Sequence, residues 1–191
     1  MTNDFSPLSQ WQLDRARRTV HRGGVIAYPT EGVWGLGCDP WNPDAVEEIL
    51  ELKQRPAHKG LILVAASTDQ IEFLLAPLDP EMRERATRHW PGPVTCLLPD
   101  PEDRVPFLVK GDHSAIAVRV SDHPVVKALC EAAGQPLVST SCNPAGRPPA
   151  RHGWQVRRYF GQGQVHIVPG ALGGNRKPSR ILDIVTGQWL R

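Results

Sequence analysis

Ala115-Ile116-Ala117-Val118-Arg119-Val120 alternates, so that Ile116, Val118 and Val120 share one face of a strand while Ala115, Ala117 and Arg119 share the other. The apolar face needs a core, which places the strand in a sheet packed against other elements. On the opposite face, two alanines leave space beside a guanidinium. An anionic ligand such as a carboxylate would fill that space and give the arginine a bidentate partner. An arginine on a solvated sheet face is the competing reading. Further short apolar runs at 25–28, 61–64, 94–98, 137–139, 165–168 and 181–185 read as strands. Helix openings lie between them: Ser9 before Leu13, Ala16 and Val20, then Asn42-Pro43, Asp79-Pro80 and His123-Pro124, with Gly23-Gly24 and Gly134 as stops. The connections vary in length and several strands follow one another without a helix. The expected class is therefore α+β (mixed α/β), one domain over residues 1–191 with a mixed sheet covered by helices.

Composition narrows the function. Net charge is only +2, yet 17 arginines stand against five lysines, a bias toward residues that grip carboxylates, phosphates and RNA. Genome composition would also explain it. With no block of like charge, a basic tail for nucleic acid is excluded. Cys38, Cys96, Cys130 and Cys142 show no C-x-x-C spacing and the N-terminus lacks the regions of a signal peptide, so a reduced cytoplasm is expected. No histidine pair has metal-ligand spacing, which argues against a protein zinc site. No apolar run approaches the roughly 20 residues of a membrane helix.

Lys53 and Arg55, in Glu51-Leu52-Lys53-Gln54-Arg55-Pro56, close an amphipathic segment. Leu50, Ile49 and Val46 form its apolar stripe and Lys53 falls on that side, so its ammonium has to meet an anion or snorkel to water. Arg55 has Glu51 four residues earlier for an ordinary surface pair. A fork and a point charge where a helix meets a loop suit a polyphosphate. Ser139-Thr140-Ser141-Cys142-Asn143-Pro144-Ala145-Gly146 follows a strand and gathers hydroxyls, an amide and a glycine in a turn. Such a turn can aim donors at phosphate or satisfy its own backbone. Trp90-Pro91-Gly92-Pro93-Val94-Thr95 is a rigid turn with Thr95 as a phosphate or ribose contact. The cysteines default to inert buried thiols, Asp122-His123-Pro124 to a helix cap, and the stretch 170–178 to a mobile lid.

Taken in order, Tyr28-Pro29-Thr30-Glu31, Gly35-Leu36-Gly37-Cys38-Asp39-Pro40, Lys53-x-Arg55, Trp90-Pro91-Gly92-Pro93-Val94-Thr95, Ala117-Val118-Arg119-Val120 and Ser141-x-Asn143 resemble the YrdC-like family in its short bacterial form. The resemblance implies a strongly twisted mixed sheet with helices on both sides and a large electropositive concave surface. It implies a reaction in which ATP, L-threonine and bicarbonate give threonylcarbamoyl-AMP and pyrophosphate, with magnesium accompanying the ATP. The product would pass to a separate tRNA threonylcarbamoyl transferase complex that modifies the adenosine at tRNA position 37. Several relatives are described as binding double-stranded RNA, so RNA or tRNA is an additional implied partner.

Carried over by position, Lys53 and Arg55 would hold the ATP phosphates as the catalytic cations, with Thr95, Ser141 and Asn143 completing the nucleotide site. Thr30, Arg119, Ser139 and Ser179 would hold threonine, Arg119 taking its carboxylate. The chain departs from the family pattern at Cys142, Pro144 and Ala145, at Gly60 where proline is common with little expected consequence, and at Pro149 where some relatives place a nucleotide-contacting serine. A non-enzymatic module that binds double-stranded RNA or tRNA is the alternative function. A carbamoyl-phosphate-using relative is disfavoured, since its zinc and acylphosphatase domains find neither cysteines nor length here.

Overall fold

The computed structural model describes residues 8–175 and 179–190. Strands β1 (Val25–Pro29), β2 (Trp34–Gly37), β3 (Ile62–Ala65), β4 (Val94–Pro99), β5 (Ala115–Val120), β6 (Leu137–Ser141), β7 (Val165–Ile167) and β8 (Arg180–Asp183) form one sheet in the order β7-β1-β2-β6-β3-β5-β4-β8. The pairs β1–β7, β3–β5 and β4–β8 are parallel, whereas β1–β2, β2–β6, β3–β6 and β4–β5 are antiparallel. The sheet is thus mixed, as the irregular connection lengths predict. Helices α1 (Gln10–His21), α2 (Pro43–Lys53), α3 (Glu72–Leu75), α4 (Pro80–Thr87), α5 (Phe107–Lys110), α6 (Pro124–Ala133) and α7 (Gly153–Phe160) surround it.

Local chemistry sets the helix ends. Ser9 and Gln12 form a reciprocal capping box at α1, Asn42 caps α2 by accepting from the N–H of Ala45, and Asp79 caps α4 through Met82. Pro43, Pro80 and Pro124 occupy first-turn positions, where a missing N–H does no harm. The residue at the α6 cap is His123, whose side chain makes no capping bond. Its N–H goes to the Ser121 hydroxyl and its Nε2 lies 3.1 Å from the Ala171 carbonyl, so this histidine ties a loop down where the sequence suggests only a cap.

Burial divides the sheet unevenly. On one face α1 and α6 pack with Ile26, Tyr28, Val64 and Leu137. On the other, α2 and its neighbours bury Val25, Ala27, Leu36, Leu63, Cys96, Leu98, Ile116, Val118 and Val120. The apolar triad of β5 is therefore core, and the face with Ala115, Ala117 and Arg119 extends beyond the cover of α1 and α6.

Strand β2, the single-turn helices α3 and α5, and helix α7 escape sequence reading. Trp34-Gly35-Leu36-Gly37 contains two glycines, which are depleted in strands. The structure needs one there: a Cβ at Gly37 would lie 2.6 Å from the Val138 carbonyl oxygen and 2.8 Å from the Tyr28 ring, so β2 can pass beneath the tyrosine only without a side chain. Helix α7 buries just Val156 and Phe160, too sparse a stripe to register as a period. Gly37→Ala is expected to destabilise the fold by about 1–3 kcal/mol through forced displacement of β6 or the Tyr28 ring; urea unfolding measures this, and an unchanged midpoint would contradict the close approach.

Candidate active site

The uncovered part of the sheet face is a floor built by register. Ser139 pairs with Ile62, Ile62 with Ala117, Ala117 with Leu97 and Leu97 with Asp183, a row that crosses β6, β3, β5, β4 and β8. All of these residues line a cavity of about 920 Å³. Gly35 and Ser141, paired between β2 and β6, extend the floor. The two alanines of β5 leave the room that the sequence suggests.

Arg119 lies in this cavity and is only 9% exposed, which excludes the solvated-face reading. Its Nη2 is 3.6 Å from Glu31 Oε2, too far for a hydrogen bond. Neither Arg119 Nε nor Glu31 Oε2 has a hydrogen-bond partner among the described residues. The other oxygen of Glu31 accepts from the Ser121 hydroxyl. Glu31 has no role in the sequence reading, because a carboxylate after Pro-Thr carries no signal of its partner 88 positions away in Arg119. Thr30 also lines the cavity, its hydroxyl donating to the Val33 carbonyl at 2.7 Å.

A strap closes this end. The N–H of Gly173 donates to the Thr30 carbonyl at 3.0 Å and that of Asn175 to the Glu31 carbonyl at 2.8 Å. Beyond the strap lies a smaller cavity of about 490 Å³, which shares Glu31 and Asn175 with the first. The described part of the expected lid is thus tied to the end of β1; its residues 176–178 lie outside the described residues. Ser179 lines the main cavity, with its Oγ 3.4 Å from the hydroxyl of the fully buried Thr95.

The expected nucleotide residues separate into two groups. Arg55 and Ser141 line the cavity, whereas Lys53, Thr95 and Asn143 do not. The Lys53 ammonium meets neither an anion nor bulk water. It donates to the carbonyls of Ser141 and Asn143, the second at 3.0 Å, and Lys53 is 5% exposed. Arg55, rather than pairing with Glu51, holds the carbonyl of Gly60 through Nε and Nη2 and that of Lys59 through Nη2. Gly60 itself has φ 61 and ψ 171, a conformation closed to proline. The Asn143 side chain braces its own turn: Oδ1 accepts from Ser141 Oγ at 2.7 Å and Nδ2 donates to the carbonyls of Pro144 and Arg147.

Lys59, Lys110 and Pro149 also line the cavity. Lys110 is neutralised by Asp100 and Asp103. Arg55 and Lys59 have no carboxylate partner among the described residues. The cavity therefore has an uncompensated positive end at Arg55 and Lys59 and a mixed-charge end at Arg119 and Glu31. Lys59 could be found in sequence only as a cation four residues beyond Arg55 in an unpatterned loop. All four cysteines are free and buried, and burial pushes Cys96, Cys130 and Cys142 up to about 12 and Cys38 upward as well. They are inert thiols.

The Sua5/YciO/YrdC family model, described as "Telomere recombination", matches residues 18–191. The chain belongs to this family. A relative from Marinobacter nauticus named threonylcarbamoyl-AMP synthase is 72% identical over 188 residues, covering 98% of this chain and 99% of that one. One of the same name from Pseudomonas aeruginosa is 54% identical over 96% of this chain and 98% of its own. P. abyssi Sua5 complexed with L-threonine superimposes with a TM-score of 0.82 at 32% identity, over 92% of this chain and 51% of that one. E. coli YciO gives a TM-score of 0.78 at 26% identity, over 93% and 86%.

Burial, followed by the charge of Arg55, draws the Lys53 amine down from 10.5 to about 8. Between those values the unfolded chain holds a proton that the folded chain has released, so this group makes stability rise with pH from about 8 to 10.5. Lys53→Met removes that rise. Urea melts of both proteins across the window would show it, and parallel pH curves would contradict the buried ammonium.

Proposed function

We propose that this cavity joins ATP, L-threonine and bicarbonate to form threonylcarbamoyl-AMP and pyrophosphate. The observation that carries the reading is the division of charge along one floor: an under-paired guanidinium, Arg119, at one end and two cations without carboxylates, Arg55 and Lys59, at the other. Relatives with the same activity in their names, aligned over almost the whole chain, support it.

Threonine fits the mixed end. Its carboxylate would take the free donor capacity of Arg119, with Thr30, Ser139 and Ser179 around it. The triphosphate fits the positive end, against Arg55, Lys59 and Ser141, with Asn143 acting through the Ser141 hydroxyl. Thr95 is fully buried and would contribute by contact with Ser179 rather than with phosphate or ribose. Magnesium would arrive on the triphosphate as part of that substrate.

The chemistry asks little covalent work of the protein. The threonine amine and carbon dioxide from bicarbonate give a carbamate, whose oxygen attacks the α-phosphorus while pyrophosphate leaves. A carbamate decomposes readily in water, so the site has to hold it against the nucleotide and exclude solvent. The strap at Gly173–Asn175, bonded to the end of β1, would serve that purpose, and the cations would stabilise charge on the leaving group. The labile product would go on to the transferase complex that modifies tRNA position 37, which places the work in the cytoplasm. No helix among the described residues is long and apolar enough to cross a membrane.

A non-enzymatic RNA-binding role is less well supported, since Arg119 is 9% exposed and lines a cavity, whereas phosphate contacts to RNA call for cations on an open face. Pyrophosphate release is expected only when all three substrates are present. Arg119→Lys, which keeps the charge but loses the fork, is expected to raise the threonine KM at least about tenfold and leave the ATP KM within about threefold. Lys59→Ala should show the opposite selectivity. Pyrophosphate release that ignores threonine, or equal effects of both variants on both substrates, would overturn the assignment.

A further inference from the structure

The smaller cavity behind the strap, about 490 Å³, has Glu31, Pro93, Asp122, His123, Pro124 and Gly173 in its walls. Glu31, Pro93 and Asn175 also line the main cavity, so these residues stand between the two. The partition is thin. Gly173 lies directly on Glu31: a Cβ there would come within 3.0 Å of the Glu31 Cα and 3.1 Å of its carbonyl oxygen. What fastens the strap to the end of β1 is a pair of backbone bonds, from Gly173 to Thr30 and from Asn175 to Glu31.

The reaction proposed above calls for a second approach at this place. A carbamate formed before the nucleotide is seated would be lost to water, so its carbon has to arrive when ATP and threonine already fill the main cavity. Threonine is assigned to the end with Arg119 and Glu31, and that is the end the smaller cavity adjoins.

The walls also select the form in which the carbon arrives. Among the described residues they carry two carboxylates, Glu31 and Asp122, and no lysine or arginine. Burial draws the His123 imidazole below its usual range, so at physiological pH it is neutral and adds no compensating charge. Such a lining repels bicarbonate, an anion. Carbon dioxide is uncharged and slender, and Pro93, Pro124 and Gly173 offer it apolar surface.

We propose that the smaller cavity is a port for carbon dioxide, which crosses the strap at Gly173–Asn175 to reach the threonine amine. The inference rests on the proposed reaction and specifies the species and the route of its smallest substrate. Bicarbonate is then a reservoir: in solution it takes up a proton, loses water and releases the carbon dioxide that enters.

Single turnovers of the full chain, preloaded with magnesium, labelled ATP and threonine in the cold, test the species. Started with dissolved carbon dioxide, they are expected to give a burst of labelled adenylate before hydration equilibrates. Started with bicarbonate they should show a lag, and added carbonic anhydrase should abolish both. Asp122→Trp tests the route. Asp122 is exposed and outside both apolar clusters, so an indole there crowds the port and spares the core. The apparent KM for total dissolved carbon is expected to rise at least about fivefold, with the KM values for ATP and threonine within about twofold.

A burst from bicarbonate, or equal time courses from both forms, would overturn the port. So would an unchanged carbon KM in Asp122→Trp, or an equal loss for all three substrates. No adenylate from the wild-type chain with all three substrates present would overturn the proposed reaction itself, and the port with it. If Asp122→Trp does not fold, wild-type crystals holding threonine and a non-hydrolysable ATP analogue, pressurised with carbon dioxide, decide. Density for the gas in the smaller cavity supports the port, and its absence there refutes it.

Discussion

Among the described residues, part of one sheet face has no helix on it, and the chemistry of the molecule follows from that constraint. Helices α1 and α6 cover Ile26, Tyr28, Val64 and Leu137 but stop short of Ile62, Ala117 and Leu97. In a helix-covered sheet an uncovered row would normally be lost apolar burial. Here small and polar side chains, Ser139, Ala117 and Ala115, limit that loss and turn the row into the floor of a cavity. The other face stays fully packed by Ile116, Val118 and Val120, so the floor rests on a rigid layer.

Onto that floor the fold brings charges that it leaves partly unsatisfied. Arg119 and Glu31 are both nearly buried and stand too far apart to bond. Groups left in this condition exert strong fields, because little solvent is available to screen them. Glu31 serves two ends at once: its carboxylate faces Arg119 and its backbone carbonyl holds Asn175 of the strap. Lys110, in contrast, is cancelled by Asp100 and Asp103, which leaves Arg55 and Lys59 to define the positive end.

Legibility in sequence followed the range of the interactions. The alternation of β5 revealed a core face and a cavity face because period-2 patterning is local. Asn42-Pro43 and Asp79-Pro80 marked helix starts for the same reason. Strand β2 was hidden because its identity depends on the ring of Tyr28 passing over Gly37, a contact between strands rather than a propensity. The position of Lys53 on an apolar stripe was visible and its burial followed, but its partners were backbone carbonyls 88 and 90 residues away, which no spacing rule can reveal. Glu31 and Lys59 went unread because a single charge in a turn acquires meaning only from what the fold sets opposite it.

The four thiols have a practical consequence. Each is enclosed and held in its neutral form at physiological pH, so an alkylating reagent can reach them only during excursions that open the interior. Cys38, Cys96 and Cys142 belong to the larger apolar cluster and Cys130 to the smaller one under α6. Their individual labelling rates would therefore read separately how often the two sides of the sheet breathe, with no probe added to the protein.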